Sequence, residues 1–405
     1  NGLEKRPKLR FPGFDEPWQS TLLSSVFTKN AKKNTDGQIT NVICNSAKQG
    51  LIPQREYFDK DIANSDNTSG YYIIEENDFV YNPRKSADAP YGPISRYKYA
   101  EAGIVSPLYL CFRAKKEINP SFFEWYFRSS AWHRYVYMSG DSGARHDRVS
   151  VKDDTFFAMP INLPSAHEQE HIASFLERID QRIEKQRALV ESLKKYKRGL
   201  LSREFGQQEN GVLNNRYVGK LKDYFHLSSG STPSSTNRAF YSGNIRWVSS
   251  GELKPKYLCE TSQHISSEAV SSCNLREYPA NTLLVAMYGL EAAGVRGTAS
   301  ILSVPATISQ ACMAIQQTGE IDIEYLYYWY IYNGQWIGIQ IAQGTKQHNL
   351  STDTLGNLRI HAPSCSKQKK VCKLLSQIDY LIEKECKKID LLSSVKRGLL
   401  QQLFI

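Results

Sequence analysis

Apolar residues recur at alternating steps of four and three in two long segments of the chain, a spacing typical of the seam of a left-handed coiled coil. The seam positions of the first segment are Ile172, Leu176, Ile179, Ile183, Gln186, Val190, Leu193, Lys197 and Leu200. Those of the second segment are Val371, Leu375, Ile378, Ile382, Glu385, Ile389, Leu392, Lys396 and Leu399. We predict two long helices that pair with each other. The alternative is two amphipathic helices that each pack on their own domain.

The two helical segments are copies of one sequence. Residues 161–205 match residues 360–404 without a gap, and even the polar interruptions of the seam coincide, since Gln186 matches Glu385 and Lys197 matches Lys396. Polar seam residues specify the register and the partner of a coiled coil. A repeat of roughly 200 residues is far longer than the period of a solenoid or propeller. The chain is therefore two modules, each a domain followed by a helix.

The segments outside the long helices have a different pattern. Short β-prone runs bounded by turn residues predict strands at 71–74, 78–81, 108–112 and 283–286, and aromatic-rich stretches predict short helices at 121–127 and 323–329. This order indicates one α+β domain that occurs twice. We predict a first domain at 1–160, a helix at 161–205, a linker at 206–220, a second domain at 221–359 and a helix at 360–405.

The composition indicates the kind of partner. A formal net charge of +10 favours a polyanion, nucleic acid first and an anionic membrane surface second. The sequence contains no run of about 18 apolar residues, which a membrane-spanning helix needs, and its first residues lack the apolar stretch of a signal peptide. The eight cysteines include no Cys-x-x-Cys pair, which fits reduced thiols. We expect a cytoplasmic protein that does not associate with membranes.

Basic loops supply the candidate DNA contacts. Arg and Lys can bind phosphate or the guanine edge, while Asn and Gln match adenine. In the first domain the candidates are Arg84, Lys85, Arg96, Arg145, His146 and Arg148. In the second domain they are Thr232, Arg238, Arg246, Lys346, Gln347, His348 and Asn349. The loops after Gly143 and Gly344 recur at equivalent places, which favours DNA contact over the alternative of a solvated charged loop.

Enzymatic motifs are weak in this sequence. Residues 167–171 satisfy His-Glu-x-x-His, which on a helix can hold zinc with Glu168 as base, but the matching residues 366–370 contain none of these ligands. A pair of histidines on a helix surface is the simpler interpretation. Residues 211–220 end in Gly-Lys with the wrong spacing for a phosphate loop. We find no amino-methyltransferase tetrapeptide and predict a non-catalytic, metal-free binding protein.

These motifs together carry a family resemblance that covers essentially the whole chain. The order domain, helix, domain, helix resembles the specificity (S) subunit of a type I restriction-modification system. So do the motifs Leu-Pro-Ser-x-x-Glu-Gln-Glu-x-Ile-Ala at 163–173 and Lys-Arg-Gly-Leu-Leu at 197–201. The variable domains add Tyr-Asn-Pro-Arg-Lys-Ser at 81–86 and Gly-Thr-Lys-Gln at 344–347. The second repeat departs from the pattern, because Ser366-Lys367-Gln368 keeps only the Gln of the usual acidic-Gln pair.

The resemblance implies a fold and a division of labour. Two target recognition domains of mixed α/β structure would be separated by an antiparallel coiled coil with pseudo-twofold symmetry, and each would bind one half of an asymmetric bipartite site in double-stranded DNA. Two modification subunits would bind S-adenosylmethionine and methylate adenine, and two restriction subunits would use ATP and Mg²⁺, so this chain needs no cofactor. Candidates for subunit docking are Gln169, Lys197, Arg198, Gln368, Lys396 and Arg397, against the alternative that they only keep the helices soluble.

Two other functions remain open from the sequence. One is a stand-alone DNA-binding regulator with duplicated domains, which would not purify with a methyltransferase subunit. The other is a zinc peptidase built around His167 and His171, which would contain stoichiometric zinc.

Overall fold

The computed structural model describes residues 6–57, 68–140, 147–206, 217–290, 292–342, 344 and 348–405. The chain divides into two compact units. The first unit combines Asn1–Arg187 with the C-terminal segment Lys387–Ile405, and the second unit is the continuous segment Ala188–Cys386. In the described part of the chain no helix is long and apolar enough to cross a membrane.

The described residues of the first unit form ten strands. They are β1 (Gln19–Leu22), β2 (Phe27–Lys29), β3 (Ile43–Ser46), β4 (Gly50–Pro53), β5 (Tyr72–Ile74), β6 (Phe79–Tyr81), β7 (Ile94–Arg96), β8 (Gly103–Val105), β9 (Leu110–Ala114) and β10 (Pro160–Leu163). An antiparallel sheet has the order β2-β9-β6-β7. The other strands form three antiparallel pairs, β1-β10, β3-β4 and β5-β8. The central strand β6 is buried along its whole length, as its apolar residues between turns predict.

The first six helices of the described chain include one very long one. They are α1 (Leu23–Val26), α2 (Gln54–Tyr57), α3 (Pro120–Arg128), α4 (His133–Ser139), α5 (Asp153–Phe157) and α6 (Ala166–Phe205). Residues 188–205 of α6 belong to the second unit. Asn119 caps α3, because its side chain accepts a hydrogen bond from the Phe122 amide, and Pro120 occupies the first turn, where no amide donor is needed. The buried face of α3 packs on the sheet, where Phe27, Phe79 and Phe112 form an aromatic core.

The second unit repeats this plan with a larger sheet. Its strands are β11 (Tyr217–Lys220), β12 (Phe225–Ser229), β13 (Ile245–Val248), β14 (Tyr257–Leu258), β15 (Gln263–Ile265), β16 (Leu283–Ala286), β17 (Ala299–Leu302), β18 (Thr307–Ile308), β19 (Cys312–Gln317) and β20 (Arg359–Ala362). The sheet order is β12-β19-β16-β17-β14, beside a three-stranded sheet β15-β13-β18 and the pair β11-β20. Strands β12, β19 and β16 correspond to β2, β9 and β6 of the first unit.

The remaining helices are α7 (Leu221–Tyr224), α8 (Ser267–Ser272), α9 (Ile323–Trp336), α10 (Thr352–Gly356) and α11 (Cys365–Gln402). Short 3-10 turns lie at Arg238–Tyr241 and Ser250–Glu252, and a π-helical turn at Ile337–Ile341 follows α9. Asp322 caps α9 through a hydrogen bond from the Glu324 amide. The fold is α+β with a duplicated domain, as the sequence predicts.

The long helices begin just after the two Pro-Ser pairs, where Ser165 and Ser364 of the sequence predict helix starts, and this prediction is confirmed. The segments assigned to the helices start earlier, at residues 161 and 360, but residues 160–163 and 359–362 form β10 and β20, which pair with β1 and β11. Pro164 and Pro363 end these strands, and α6 and α11 begin just after them. Strand β11 also occupies the end of the segment predicted as a linker. In each domain the first strand thus pairs with the last strand.

The long helices run antiparallel within each unit. In the first unit Ile172 and Leu176 of α6 share a core cluster with Leu400 of α11 and with Leu403, which follows that helix, while Asp180 pairs with Lys396. The second unit has the same order, because Leu201 and Phe205 cluster with Cys372 and Leu375, while Lys197 pairs with Asp379.

The predicted seam is confirmed by burial. Every predicted seam residue is buried or half-buried, including the polar pair Gln186 and Glu385 at 6% and 8% exposure.

Candidate nucleic-acid interface

A cleft of about 860 Å³ lies in the first unit, next to the ends of β6 and β9. Three connections form its walls: the turn between β3 and β4, the loop that follows β6 and the turn that precedes β9. The lining residues include Asn45, Ser46, Lys48, Asn82, Arg84, Lys85, Asp88, Ser106, Tyr109 and Arg148. An open, polar cleft of this kind suits an extended ligand better than a small enclosed one.

Backbone bonds bring three of the predicted DNA contacts together at this cleft. Arg84 and Arg148 face each other in an antiparallel bridge, with the Lys85 amide donating to the Asp147 carbonyl at 2.9 Å and the Val149 amide to the Pro83 carbonyl at 2.9 Å. Arg84 and Lys85 are exposed. The Nε atom of Arg148 is buried and has no hydrogen-bond partner among the described residues. The guanidinium of Arg148 therefore keeps donor capacity for a ligand in the cleft.

The charge of the cleft is predominantly positive. Its lining holds the cationic side chains of Lys48, Arg84, Lys85 and Arg148, and Asp88 is the acidic lining residue, 3.5 Å from the Lys48 ammonium. Both partners of that ion pair are well exposed, so it is weak and can be replaced by a stronger anion. Phosphate oxygens fit this set of donors.

Neutral polar groups fix the walls of the cleft. The Asn82 carboxamide accepts from the Arg84 amide at 3.1 Å and donates to the Asn45 carbonyl at 3.2 Å, which ties the loop after β6 to strand β3. Burial raises the pKa of the Tyr109 phenol, so its hydroxyl remains protonated near neutral pH. Tyr109 is consequently a hydrogen-bond donor at the wall of the cleft.

Arg96 is placed differently from the other predicted contacts. Its Nε donates to Asn77 Oδ1 at 2.8 Å, its Nη1 donates to Ser121 Oγ at 3.0 Å, and Glu124 lies 3.8 Å away. The side chain is only 16% exposed. Arg96 therefore ties β7 to α3 inside the domain and does not line the cleft.

Three predicted residues of the second unit are drawn together by hydrogen bonds between their neighbours. The Tyr241 hydroxyl, in the 3-10 turn that begins at Arg238, donates to the Pro233 carbonyl at 2.7 Å. Trp247, which follows Arg246 in β13, donates through Nε1 to the Ser231 carbonyl at 3.3 Å. The segment that carries Thr232 is thus attached to those that carry Arg238 and Arg246. Thr232 and Arg238 are exposed, and Arg246 is half-exposed with its Nε on the Cys259 carbonyl.

His348 and Asn349 lie at the same end of the large sheet as Thr232. The Gln310 amide donates to Thr232 Oγ1, and next to it the Met287 amide donates to the Ala311 carbonyl. Met287 in turn accepts from the Leu350 amide at 2.8 Å. In the first unit Val149 makes a comparable bond to Pro83, and Pro83 follows β6 as Met287 follows the corresponding strand β16. The described residues just before α5 and α10 thus pack beside the ends of corresponding strands.

Some predicted contacts have no structural test. Arg145, His146, Lys346 and Gln347 lie outside the described residues. Others were missed by the sequence: Lys48 and Tyr109 line the cleft, and His264 stands opposite Arg246 across β13 and β15. Lys48 follows Asn45 and Ser46 and precedes Gly50, whose φ of +73° marks a tight turn. A basic residue between the turn-forming residues Asn45, Ser46 and Gly50 was the available signal.

The four basic helix residues predicted to dock partner subunits fall into two groups. Arg198 and Arg397 occupy matched positions of the two long helices, and both side chains are exposed. Lys197 and Lys396 are instead engaged with aspartates of the opposite helix. Of these two groups, the arginines are the one whose side chains are exposed to solvent in the described helices.

The two matched glutamines have internal roles. Gln169 donates to the Pro164 carbonyl at 3.0 Å. Gln368 is fully buried, donates to the Pro363 carbonyl and accepts from the Asp322 amide. Gln368 therefore holds the start of α11 against the cap of α9, and its side chain has no surface to offer a partner.

The glutamate of the His-Glu-x-x-His motif is already paired with an arginine. Glu168 is 1% exposed, and its two carboxylate oxygens accept from Arg10 at 2.8 Å each. His167 and His171 are exposed and pack against Phe14. The carboxylate that would act as base is thus neutralised by a bidentate arginine.

Another possible set of metal ligands, found among the described residues, is Asp322, Glu324 and Cys372. There the Lys256 ammonium already pairs with Glu324, and burial raises the pKa of the Cys372 thiol, which disfavours the thiolate that a metal needs.

The sequence is similar to those of known proteins. The model of the type I restriction modification DNA specificity domain matches twice, over residues 16–194 and 216–393. The MjaIX specificity subunit of Methanocaldococcus jannaschii is 29% identical over 192 residues, which are 46% of this chain and 43% of that protein. The EcoR124I/EcoR124II specificity subunit of Escherichia coli is 26% identical over 155 residues, 38% of each chain. The chain thus spans less than half the length of these two relatives.

Solved structures of similar fold cover nearly the whole chain. The HsdS subunit of Thermoanaerobacter tengcongensis has a TM-score of 0.54 at 15% identity, and the S subunit of M. genitalium has 0.57 at 14%, each covering 99% of both chains. A chain from a type I R-M system structure has 0.63 at 16%, covering 97% of this chain and 98% of that one. At these identities the likeness concerns the fold alone. Because the family model matches most of the sequence in two copies, the chain belongs to the type I restriction-modification DNA specificity family.

Proposed function

We propose that this chain is the DNA-binding specificity subunit of a type I restriction-modification complex. Each domain binds one half of an asymmetric bipartite site in double-stranded DNA. The supporting observation is that basic and polar loops converge at the same end of the sheet in both domains, through Arg84, Lys85 and Arg148 in the first and Thr232, His348 and Asn349 in the second. Because the loops differ in sequence, the two half-sites differ.

The catalytic work in this proposal belongs to partner subunits. Two modification subunits bind S-adenosylmethionine and methylate adenine, and two restriction subunits use ATP and Mg²⁺, while this chain binds DNA and holds the partners. The two curated relatives are named as specificity subunits of restriction enzymes, which supports this division. Arg198 and Arg397 are the best placed of the predicted docking residues, because both are exposed at matched positions.

The helix pair sets the length of the unread spacer. A heptad adds about 10 Å to a helix, which corresponds to about three base pairs of duplex DNA. Inserting one heptad at matched positions of α6 and α11 should change the spacer and leave both half-sites unchanged. A spacer of unaltered length in such a variant would contradict this role of the helices.

Genome-wide mapping of methylated adenine tests the whole proposal. Cells that express the modification subunit with and without this chain are compared, and the chain should add one bipartite motif with two different half-sites. A chain carrying Arg84→Ala and Lys85→Ala should lose methylation at that motif. If the methylation pattern is the same with and without the chain, the proposed function is wrong, and DNA binding without a methyltransferase subunit would favour a stand-alone regulator.

A further inference from the structure

The two units contain the same three-residue arrangement where the long helices meet the recognition domain. In the first unit Lys396 of α11 pairs with Asp180 of α6, and its ammonium lies 4.8 Å from the ring centroid of Trp125 in α3. In the second unit Lys197 of α6 pairs with Asp379 of α11 at 2.5 Å, and its ammonium lies 5.5 Å from the Tyr328 ring in α9. We call these the Trp125 node and the Tyr328 node.

The nodes match position by position. Lys197 and Lys396 are equivalent residues of the sequence repeat, and so are Asp180 and Asp379. In the first unit α11 supplies the lysine and α6 the aspartate, and in the second unit the two helices exchange these parts. Trp125 and Tyr328 are both the sixth residue after the N-cap of their helix, Asn119 in α3 and Asp322 in α9. The lysine and aspartate side chains are between 18% and 31% exposed, so these charges interact more strongly than fully exposed ones. Such a recurrence in domains of diverged sequence indicates a shared role.

Further polar contacts join each node to its own domain. In the first unit Arg128 lies 4.9 Å from the Trp125 ring and reaches Glu124 at 2.7 Å and Asp180 at 3.4 Å. The contact from Arg128 to Asp180 joins α3 to α6, and the contact from Lys396 to Trp125 joins α3 to α11, so a rotation of α3 relative to the long helices would break both.

The Tyr328 node is more extensively hydrogen-bonded. The Tyr328 hydroxyl donates to Asp379 at 2.8 Å, and Lys256 reaches that hydroxyl at 2.9 Å and Ser376 at 2.6 Å. Burial raises the pKa of the Tyr328 phenol, so it stays a donor. One aromatic residue of the domain thus contacts both long helices.

We propose that the Trp125 and Tyr328 nodes are positioning elements that fix the orientation of each recognition domain on the helix pair of its own unit, and thereby restrict the bipartite site to one spacer length. The inference rests on the proposed function. One base pair changes the position of a half-site by 3.4 Å and its rotation by about 35°. A domain that can rotate on its helices accommodates such a change, whereas a domain held by a cation–π contact and two salt-bridged helices does not.

The experiment compares spacer lengths in methylation maps of complexes assembled with the modification subunit. Trp125→Leu and Tyr328→Leu should add methylation at spacers one base pair shorter or longer, raising its ratio to the wild-type spacer about tenfold, which corresponds to about 1.4 kcal/mol of lost discrimination. Trp125→Tyr keeps a ring for the lysine and should retain the single spacer. Tyr328→Phe loses only the hydroxyl contacts, folds with a smaller perturbation and should give an intermediate ratio.

Matched variants separate positioning from stability. Phe127→Leu and Tyr330→Leu remove a buried aromatic from the same two helices but outside the nodes. They should lower stability without adding a spacer. If the node variants lower stability and keep one spacer, or if the controls add the same spacers, the nodes are structural contacts only and the inference is wrong. A wild-type chain that directs no bipartite methylation would instead overturn the proposed function, and the inference with it.

Discussion

Lys197 of α6 donates to Asp379 of α11 at 2.5 Å, although lysine occupies a position where a coiled coil ordinarily places an apolar residue. The equivalent residues of the repeat, Lys396 and Asp180, form the same pair in the first unit with the helices exchanged. Each copy of the repeated sequence therefore supplies one lysine and one aspartate to the other copy. This reciprocity explains why the lysine in the seam recurs at the same position of both copies.

Reversing one charge of this pair should destabilise the second unit. Lys197→Asp places two carboxylates together in a half-buried site, and we expect the free energy of unfolding to fall by about 2 kcal/mol. Adding Asp379→Lys should recover at least half of the loss, as measured by urea unfolding.

Lys194→Ala is the matched control for that experiment. Lys194 forms an exposed pair with Glu191 on the same helix, so its removal should cost less than about 0.5 kcal/mol. Failure of the double reversal to recover stability would show that the contact between Lys197 and Asp379 does not pair the helices.

The cations of the cleft should contribute to DNA affinity in a salt-dependent way. Arg84→Ala and Lys85→Ala each remove one phosphate contact, so the slope of log affinity against log salt should fall by about one for each. Fluorescence anisotropy of the assembled complex on duplex DNA at three salt concentrations measures this slope. Lys116→Ala is the control, because Lys116 is exposed beyond the opposite end of β9 and should leave the slope unchanged. Equal slopes for all variants would remove the cleft from the DNA interface.

A close approach of two glycines should make α9 sensitive to a single methyl group. A Cβ at Gly334 would lie 2.2 Å from the Gly297 Cα, and Gly297 has a φ of +73° that resists adjustment. We expect Gly334→Ala to lower the free energy of unfolding by about 2 to 3 kcal/mol. Gly398→Ala, in α11, meets no atom within 4 Å and should raise it by about 0.5 to 1 kcal/mol. Urea unfolding of the two variants should give opposite signs, and a neutral Gly334→Ala would disprove the close contact.

Removal of metal should have no effect on this chain. Because no group of three potential metal ligands among the described residues includes His167 and His171, we expect the purified protein to contain no stoichiometric zinc and EDTA to leave its thermal unfolding unchanged. Elemental analysis and a thermal melt measure the two quantities. One zinc per chain, lost on chelation together with stability, would restore His167 and His171 as ligands and revive the peptidase interpretation.

The local patterns of the sequence predict the elements well. The heptad spacing, its polar breaks and the aromatic helices depend on neighbours within a few residues, and all of them occur in the structure. The first residues of the two helical segments are strands that the sequence did not predict, because Ile161 and Ile360 continue the apolar pattern while their strand partners Thr21 and Gly219 are distant in the chain. Pairing between distant segments leaves no periodic signal in either of them.

The candidate site was predictable only in part. Arg84 and Arg148 are brought together by one β-bridge between two loops. The sequence of either loop alone does not predict this bridge. Arg96 has the same charge but meets Asn77 and Ser121 inside the domain, and residue type cannot distinguish these environments. Lys48 was missed because its role depends on the loop packed opposite it.

The discontinuity of the first unit has a consequence during synthesis. Leu403 and Phe404 are buried in the aromatic core of the first unit, and the Leu9 amide donates to the Gln402 carbonyl. The second unit is continuous in sequence, so it is synthesised between the two segments of the first unit. We expect the first segment to wait incomplete, with apolar surface open to chaperones, until Leu403 and Phe404 have been added. The unit that is begun first is thus completed after the second unit has been synthesised.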